Sequence, residues 1–151
     1  MTRGAGLQSL RMPHLVILYT RNLDADTDMT ALCRKLADTM LGCRDENEQP
    51  VFPVGGTRVL AYPAAHHAVA DGSGDHAFCW FNLRIARGRS AATHKACGDA
   101  LVAAAREHFG PVLSARPVGL TLQIDEGPEV FDGKFGNLHA HFAARASGAE
   151  A

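Results

Sequence analysis

Ala77 to Ala86 reads AFCWFNLRIA and runs into Arg87-Gly88-Arg89-Ser90. The apolar run is a strand, and the basic turn after it ends in Ser90, a good helix N-cap. The helix that Ser90 opens spans about Ala91 to Phe109, with Cys97, Leu101, Ala104, Ala105 and His108 roughly on one face. Gly110-Pro111 ends it. Val118 to Ile124 (VGLTLQI) is the next strand. One strand-helix-strand unit is therefore complete.

The same order stands upstream. His14 to Thr20 (HLVILYT) is a short run of apolar and β-branched residues and reads as a buried strand. Asp24, Asp26, Thr27 and Asp28 are N-cap candidates that also suit a helix N-terminus electrostatically. Met29, Leu32, Cys33, Leu36, Met40 and Leu41 then fall at helical spacing, with Gly42 as the stop. A polar loop at Asp45 to Pro50 and turn chemistry at Pro53-Val54-Gly55-Gly56 lead to a second strand, Arg58 to Tyr62, ended by Pro63. Residues 64–76 are a His-, Gly- and Asp-rich connection, and Leu138 to Phe142 reads as a short fifth strand.

Two strand-helix-strand units predict an α+β fold. Each helical crossover joins parallel strands with right-handed sense, and the fused β-α-β units form a four-stranded mixed sheet with two helices on one face. The other face stays apolar, because Phe78, Trp80 and Leu122 cannot all find helix partners. Such a face needs burial, and oligomerisation supplies it.

Composition narrows the function classes. The 151 residues suit one domain, and 15 basic against 16 acidic residues exclude an electrostatic nucleic-acid or polybasic membrane binder as the default. No apolar run approaches the roughly 20 residues of a membrane-spanning helix. The four cysteines, Cys33, Cys43, Cys79 and Cys97, are widely spaced without a CxxC pair, so reduced thiols in a cytoplasmic protein are expected. Met1 to Arg11 has no apolar core of a secretory signal and no periodicity. It reads as a disordered extension before a domain at 12–142, and 143–151 as a disordered tail.

His66-His67 and His139-x-His141 are the metal candidates, since an i, i+2 pair on a strand shares one face. No Cys or carboxylate stands beside them at a zinc spacing, so they read as surface or loop histidines and no metal is expected. No P-loop, GxSxG or GxGxxG opening a helix is present. Arg58, at the start of a strand after a glycine turn, and Arg89, in a basic turn before a helix, sit where binding residues concentrate. Their planar forks suit carboxylates, although either could be a solvated turn charge.

Met12-Pro13-His14-Leu15-Val16, FPVGGTR ending in Arg58, Ala70-Asp71-Gly72, Arg87-Gly88-Arg89-Ser90 and Asn137-Leu138-His139 occur in this order. Together they closely resemble the 5-carboxymethyl-2-hydroxymuconate isomerase family of the tautomerase superfamily, over residues 12–142. The resemblance implies a homotrimer and a 1,3 keto-enol tautomerisation of 5-carboxymethyl-2-hydroxymuconate or a related unsaturated dicarboxylate in homoprotocatechuate (4-hydroxyphenylacetate) catabolism, with no cofactor. It places the family's amino-terminal proline base on Pro13 and its two substrate-binding arginines on Arg58 and Arg89.

The chemistry agrees. An α-amino group has an unperturbed pKa of about 7.7–8.0, and burial near arginines lowers it, which suits a proton shuttle. Two positions depart from the family pattern. Leu18 stands where the family usually carries an acidic residue. Pro13 is internal, and a proline nitrogen inside a peptide bond is not basic. The expectation is therefore a functional chain that begins at Pro13. The alternatives are a binding or structural trimer with its proline blocked, and an isomerase or decarboxylase of a related acid.

Overall fold

The computed structural model describes residues 13–127 and 131–146. In chain order they form β1 (His14–Thr20), α1 (Met29–Leu41), β2 (Arg58–Ala64), β3 (Ala77–Ala86), α2 (Ala91–Ala115), β4 (Val118–Gly127) and α3 (Leu138–Ala146). Short 3-10 turns at Arg21–Ala25 and Val54–Gly56 precede α1 and β2. The sheet order is β2-β1-β3-β4. β1 pairs parallel with β2, β3 pairs parallel with β4, and the two units meet in the antiparallel β1–β3 pair. This is the expected tautomerase-like four-stranded mixed sheet.

Local chemistry sets the helix starts. Asp28 caps α1, its carboxylate accepting from the Ala31 N–H at 3.0 Å. Ser90 caps α2, its hydroxyl accepting from the Thr93 N–H at 3.1 Å. Each helix then lays one apolar stripe on the same sheet face: Met29, Leu32, Leu36, Ala37 and Met40 from α1, and Cys97, Leu101, Ala105, Phe109 and Val112 from α2. Alternate residues of β3 (Ala77, Cys79, Phe81, Leu83 and Ile85) meet them. Phe81 and Phe109 pack edge-to-face with ring centroids 6.2 Å apart at the centre of this core. All four thiols are free, and burial pushes the Cys79 thiol up to about 12, which keeps it protonated and inert near neutral pH.

Several expectations need correction. α2 does not end at Gly110-Pro111 but continues to Ala115. Pro111 is exposed on the water side, while Phe109 and Val112 are buried on either side of it and hold the last turns to the sheet. β2 runs past Pro63 to Ala64, which an edge strand tolerates because one side of its backbone has no ladder to break. β4 extends beyond Ile124 to Gly127. Leu138–Phe142 is not a fifth strand but the start of α3, whose first turn closes through the His141 N–H to the Asn137 carbonyl at 3.0 Å. α3 continues through Ala146, into the stretch read as a tail. Residues 1–12 and 147–151 lie outside the described residues.

Leu122 is on the other face from the one expected. It pairs in register with Phe81 and packs on the helix-side core. The face without α1 and α2 carries four cross-strand rows: Arg58-His14-Arg84-Asp125, Leu60-Val16-Asn82-Gln123, Tyr62-Leu18-Trp80-Thr121, and Ala64-Thr20-Phe78-Gly119. Leu60, Tyr62, Leu18 and Phe78 are exposed. Charge is confined to the first row.

Candidate active site

The first row lies where the starts of β1 and β2 meet the ends of β3 and β4. Pro13, the residue before β1, is buried there. His14, next to it, is in register with Arg58 on one side and Arg84 on the other. Arg58 is delivered by the Val54–Gly56 turn, which is pinned by Thr57 Oγ1 donating to the Pro53 carbonyl at 2.8 Å. A side chain at Gly55 would put Cβ 2.9 Å from His139 Cα, so glycine there lets α3 close directly over the turn.

A cavity of about 260 Å³ opens beside these residues, lined by His14, Arg58, Asp132, Gly133, Lys134 and Phe135. Lys134 pairs with Asp132 at 3.2 Å. Burial, then the Arg58, Lys134 and Arg84 charges, hold the His14 imidazole below its usual pKa, against a smaller upward pull from Asp132. His14 is therefore neutral near pH 7, and the site's positive charge comes from its arginines and lysine. Such a site favours anions.

Arg89 stands at the same end of the sheet, in the turn after β3. Gly88, at φ +115°, makes that turn possible. The Arg89 guanidinium donates from Nη2 to the Val51 carbonyl at 2.7 Å, which fixes it to the loop after α1. Ser90 also bonds the Glu46 carboxylate of this loop, and that bond holds the Glu46 carboxyl below its ordinary range. The structure thus brings Pro13 and Arg58 to neighbouring strand starts, with Arg89 anchored beyond β3. Leu18 is two rows away, between Tyr62 and Trp80, in the apolar part of the face.

His66 and His67 are exposed in the β2–β3 connection. His139 and His141 are on a helix, where an i, i+2 pair points to different sides, so they cannot share an ion as strand residues would. Among the described residues no group of His, Cys, Asp and Glu is placed to hold a metal, and no helix is long and apolar enough to cross a membrane. Sequence reasoning missed His14, Arg84 and Lys134. The period-2 alternation Phe78, Trp80, Asn82, Arg84 could have placed Arg84 on the open face. Lys134 sits in an irregular segment with no such signal.

The sequence model of the family described as 5-carboxymethyl-2-hydroxymuconate isomerase matches residues 13–142. The chain belongs to that family. Its membership makes it an enzyme of the isomerase class. It is 27% identical over 131 residues to the 5-carboxymethyl-2-hydroxymuconate Delta-isomerase of Escherichia coli, covering 87% of this chain and 99% of the relative. A crystal structure of a 5-carboxymethyl-2-hydroxymuconate delta-isomerase superposes with a TM-score of 0.86 at 55% identity, covering 91% of this chain and 97% of that one. A 5-carboxymethyl-2-hydroxymuconate isomerase from Deinococcus radiodurans R1 gives 0.79 at 36% identity, covering 91% and 98%.

Proposed function

We propose that this isomerase ketonises 5-carboxymethyl-2-hydroxymuconate in the bacterial breakdown of homoprotocatechuate, with Pro13 as general base and no cofactor. The observation that carries the reading is the position of Pro13: the family match starts on it, and it is buried at the head of β1 beside the Arg58 row. With a free secondary amine there, the enol O–H breaks, the proton passes to the proline nitrogen and then to carbon, and the double bonds shift to leave a carbonyl. Nothing is oxidised. Arg58 and Arg89 hold the carboxylates and steady the negative charge that develops on oxygen. The arginine charges also disfavour the protonated amine, which keeps the base available near neutral pH.

The same reading includes a homotrimer closed over the apolar rows, with the charged row and Pro13 at its rim. Sedimentation equilibrium then gives about three times the 16.1 kDa chain mass. A sharp monomer removes the trimer. The four free thiols suit a reducing compartment, the cytoplasm.

A second reading is favoured by one observation, the Met12–Pro13 bond in the sequence. A chain that keeps that bond has no proline amine and is a binding trimer. Chains expressed from Met1 and from Met12, each with its first residue fixed by intact mass, separate the two. The form that begins at Pro13 turns the dienol over faster by about two to four decades, the usual worth of a positioned acid–base group. Equal rates in a verified full-length chain eliminate Pro13 as the base.

A further inference from the structure

Arg84 is a cation at this end of the sheet with no task yet assigned to it. It is exposed on the open face, in register with His14, one strand beyond Arg58. Its cross-strand carboxylate, Asp125, is engaged elsewhere and accepts from Asn82 Nδ2 at 2.8 Å. Lys134 pairs with Asp132, and Arg89 with the Val51 carbonyl, whereas Arg84 has no ion pair or hydrogen-bond partner from its guanidinium among the described residues. The guanidinium is nevertheless seated. It lies against the end of β4, where a Cβ at Gly127 would fall 2.5 Å from Nε and 2.6 Å from Nη2. Glycine leaves room for it, and any larger residue displaces it.

Two strand spacings, about 10 Å, separate the Cα positions of Arg58 and Arg84. 5-Carboxymethyl-2-hydroxymuconate carries three carboxylates, one at each end of a six-carbon chain and one on a two-carbon branch. Arg58 and Arg89 account for two of them. From the unpaired fork of Arg84 in the same row as Arg58, we infer that Arg84 forms a separate anion subsite that takes the third carboxylate and so selects the branched tricarboxylate over an unbranched dicarboxylate. The inference rests on the reaction proposed above and deepens it by naming a determinant of substrate choice. The planar fork is suited to bidentate carboxylate recognition, which a lysine reproduces only in part.

The test compares kcat/KM for 5-carboxymethyl-2-hydroxymuconate with kcat/KM for 2-hydroxymuconate, which lacks the branch. In Arg84→Met the ratio falls at least tenfold, mostly through KM. Arg84→Lys recovers part of it, and Gly127→Ala, which displaces the guanidinium, shifts the ratio in the same direction. A ratio within threefold of wild type in Arg84→Met overturns the subsite and returns Arg84 to a solvated surface charge. Calorimetric binding of propane-1,2,3-tricarboxylate against glutarate decides the same point without turnover. Loss of the tricarboxylate preference in Arg84→Met supports the subsite, and an unchanged preference overturns it. If the wild-type chain turns over neither dienol, the proposed reaction fails while this binding comparison still judges the subsite.

Discussion

The two faces of the sheet are made by alternate residues of the same four strands, and they differ in what covers them. On the helix face of β3, Ala77, Cys79, Phe81, Leu83 and Ile85 are all buried beneath α1 and α2. On the open face, Phe78 is exposed and Trp80 and Asn82 are half-buried. Yet the open face is apolar through most of its rows, and polar side chains there are tied down laterally, as Trp80 Nε1 is to Gln123 Oε1 at 2.8 Å. A face meant for water would carry charge throughout. Here charge is collected in one row at one end, next to Pro13. The helix face stabilises the subunit. The open face divides into an apolar area suited to a partner subunit and a cationic rim suited to an acid.

The largest effect that could break this contrast is on stability. Phe81→Ala removes a fully buried ring from the Phe81–Phe109 pair and costs about 3–5 kcal/mol in urea unfolding. The loss is similar at every protein concentration. Trp80→Ala, one residue away on the other face, costs less, and its effect grows on dilution because it acts through association. Equal, concentration-independent losses at both positions would show that the open face has no partner.

Next in size is the cationic rim. Arg58→Ala lowers kcat/KM by one to two decades, the scale of a lost charge-assisted carboxylate contact of about 1.5–3 kcal/mol. Arg89→Ala does the same and also lowers the unfolding midpoint, because its bond to the Val51 carbonyl is lost as well. Arg87→Ala, exposed in the same turn, is the control and matters less. Unchanged kinetics in both Arg58→Ala and Arg89→Ala would reduce them to solvated turn charges.

How much of this was legible beforehand depended on how local the signal was. The bounds of β1, α1 and β3, and Ser90 as a cap, follow from apolar runs, a 3.6-residue stripe and capping chemistry, all contained within a few turns of chain. The end of α2 was not legible at Gly110-Pro111, because burial of Phe109 and Val112 against a distant strand outweighs a local breaker. The five residues Leu138 to Phe142 were too short to show a period, so a helix passed for a strand. Leu122 was assigned to the wrong face because cross-strand register is not written in either strand alone, and a one-residue slip exchanges the faces. Pro13, Arg58 and Arg89 came from a resemblance in ordered motifs. That Pro13 and Arg58 start adjacent strands is a product of topology, as is the meeting of His14 with Arg84.

The smallest expected effect uses two histidines as probes, one on each side of the sheet. His14 is on the open face. His108 is on α2, its Nε2 2.7 Å from Thr27 Oγ1. Both are held below the ordinary value of 6.5, His14 by burial and then the Arg58, Lys134 and Arg84 charges, His108 by burial and then Lys35, partly offset by Asp28. In each case the unfolded chain takes up a proton at a higher pH than the folded chain does. Their contribution to stability is therefore full above about pH 6.5 and declines as pH falls through the lowered folded values. His14→Gln flattens part of that acid-side slope and leaves the part due to His108. The two differ in origin, since three cations act on His14 and one on His108. Imidazole proton NMR on the folded protein places both midpoints below 6.5, and Arg84→Met moves the His14 midpoint up while leaving that of His108 in place. A His14 midpoint that ignores Arg84 would mean that the charges of the first row do not act on one another, and the open face would lose its distinction between an apolar area and a cationic rim.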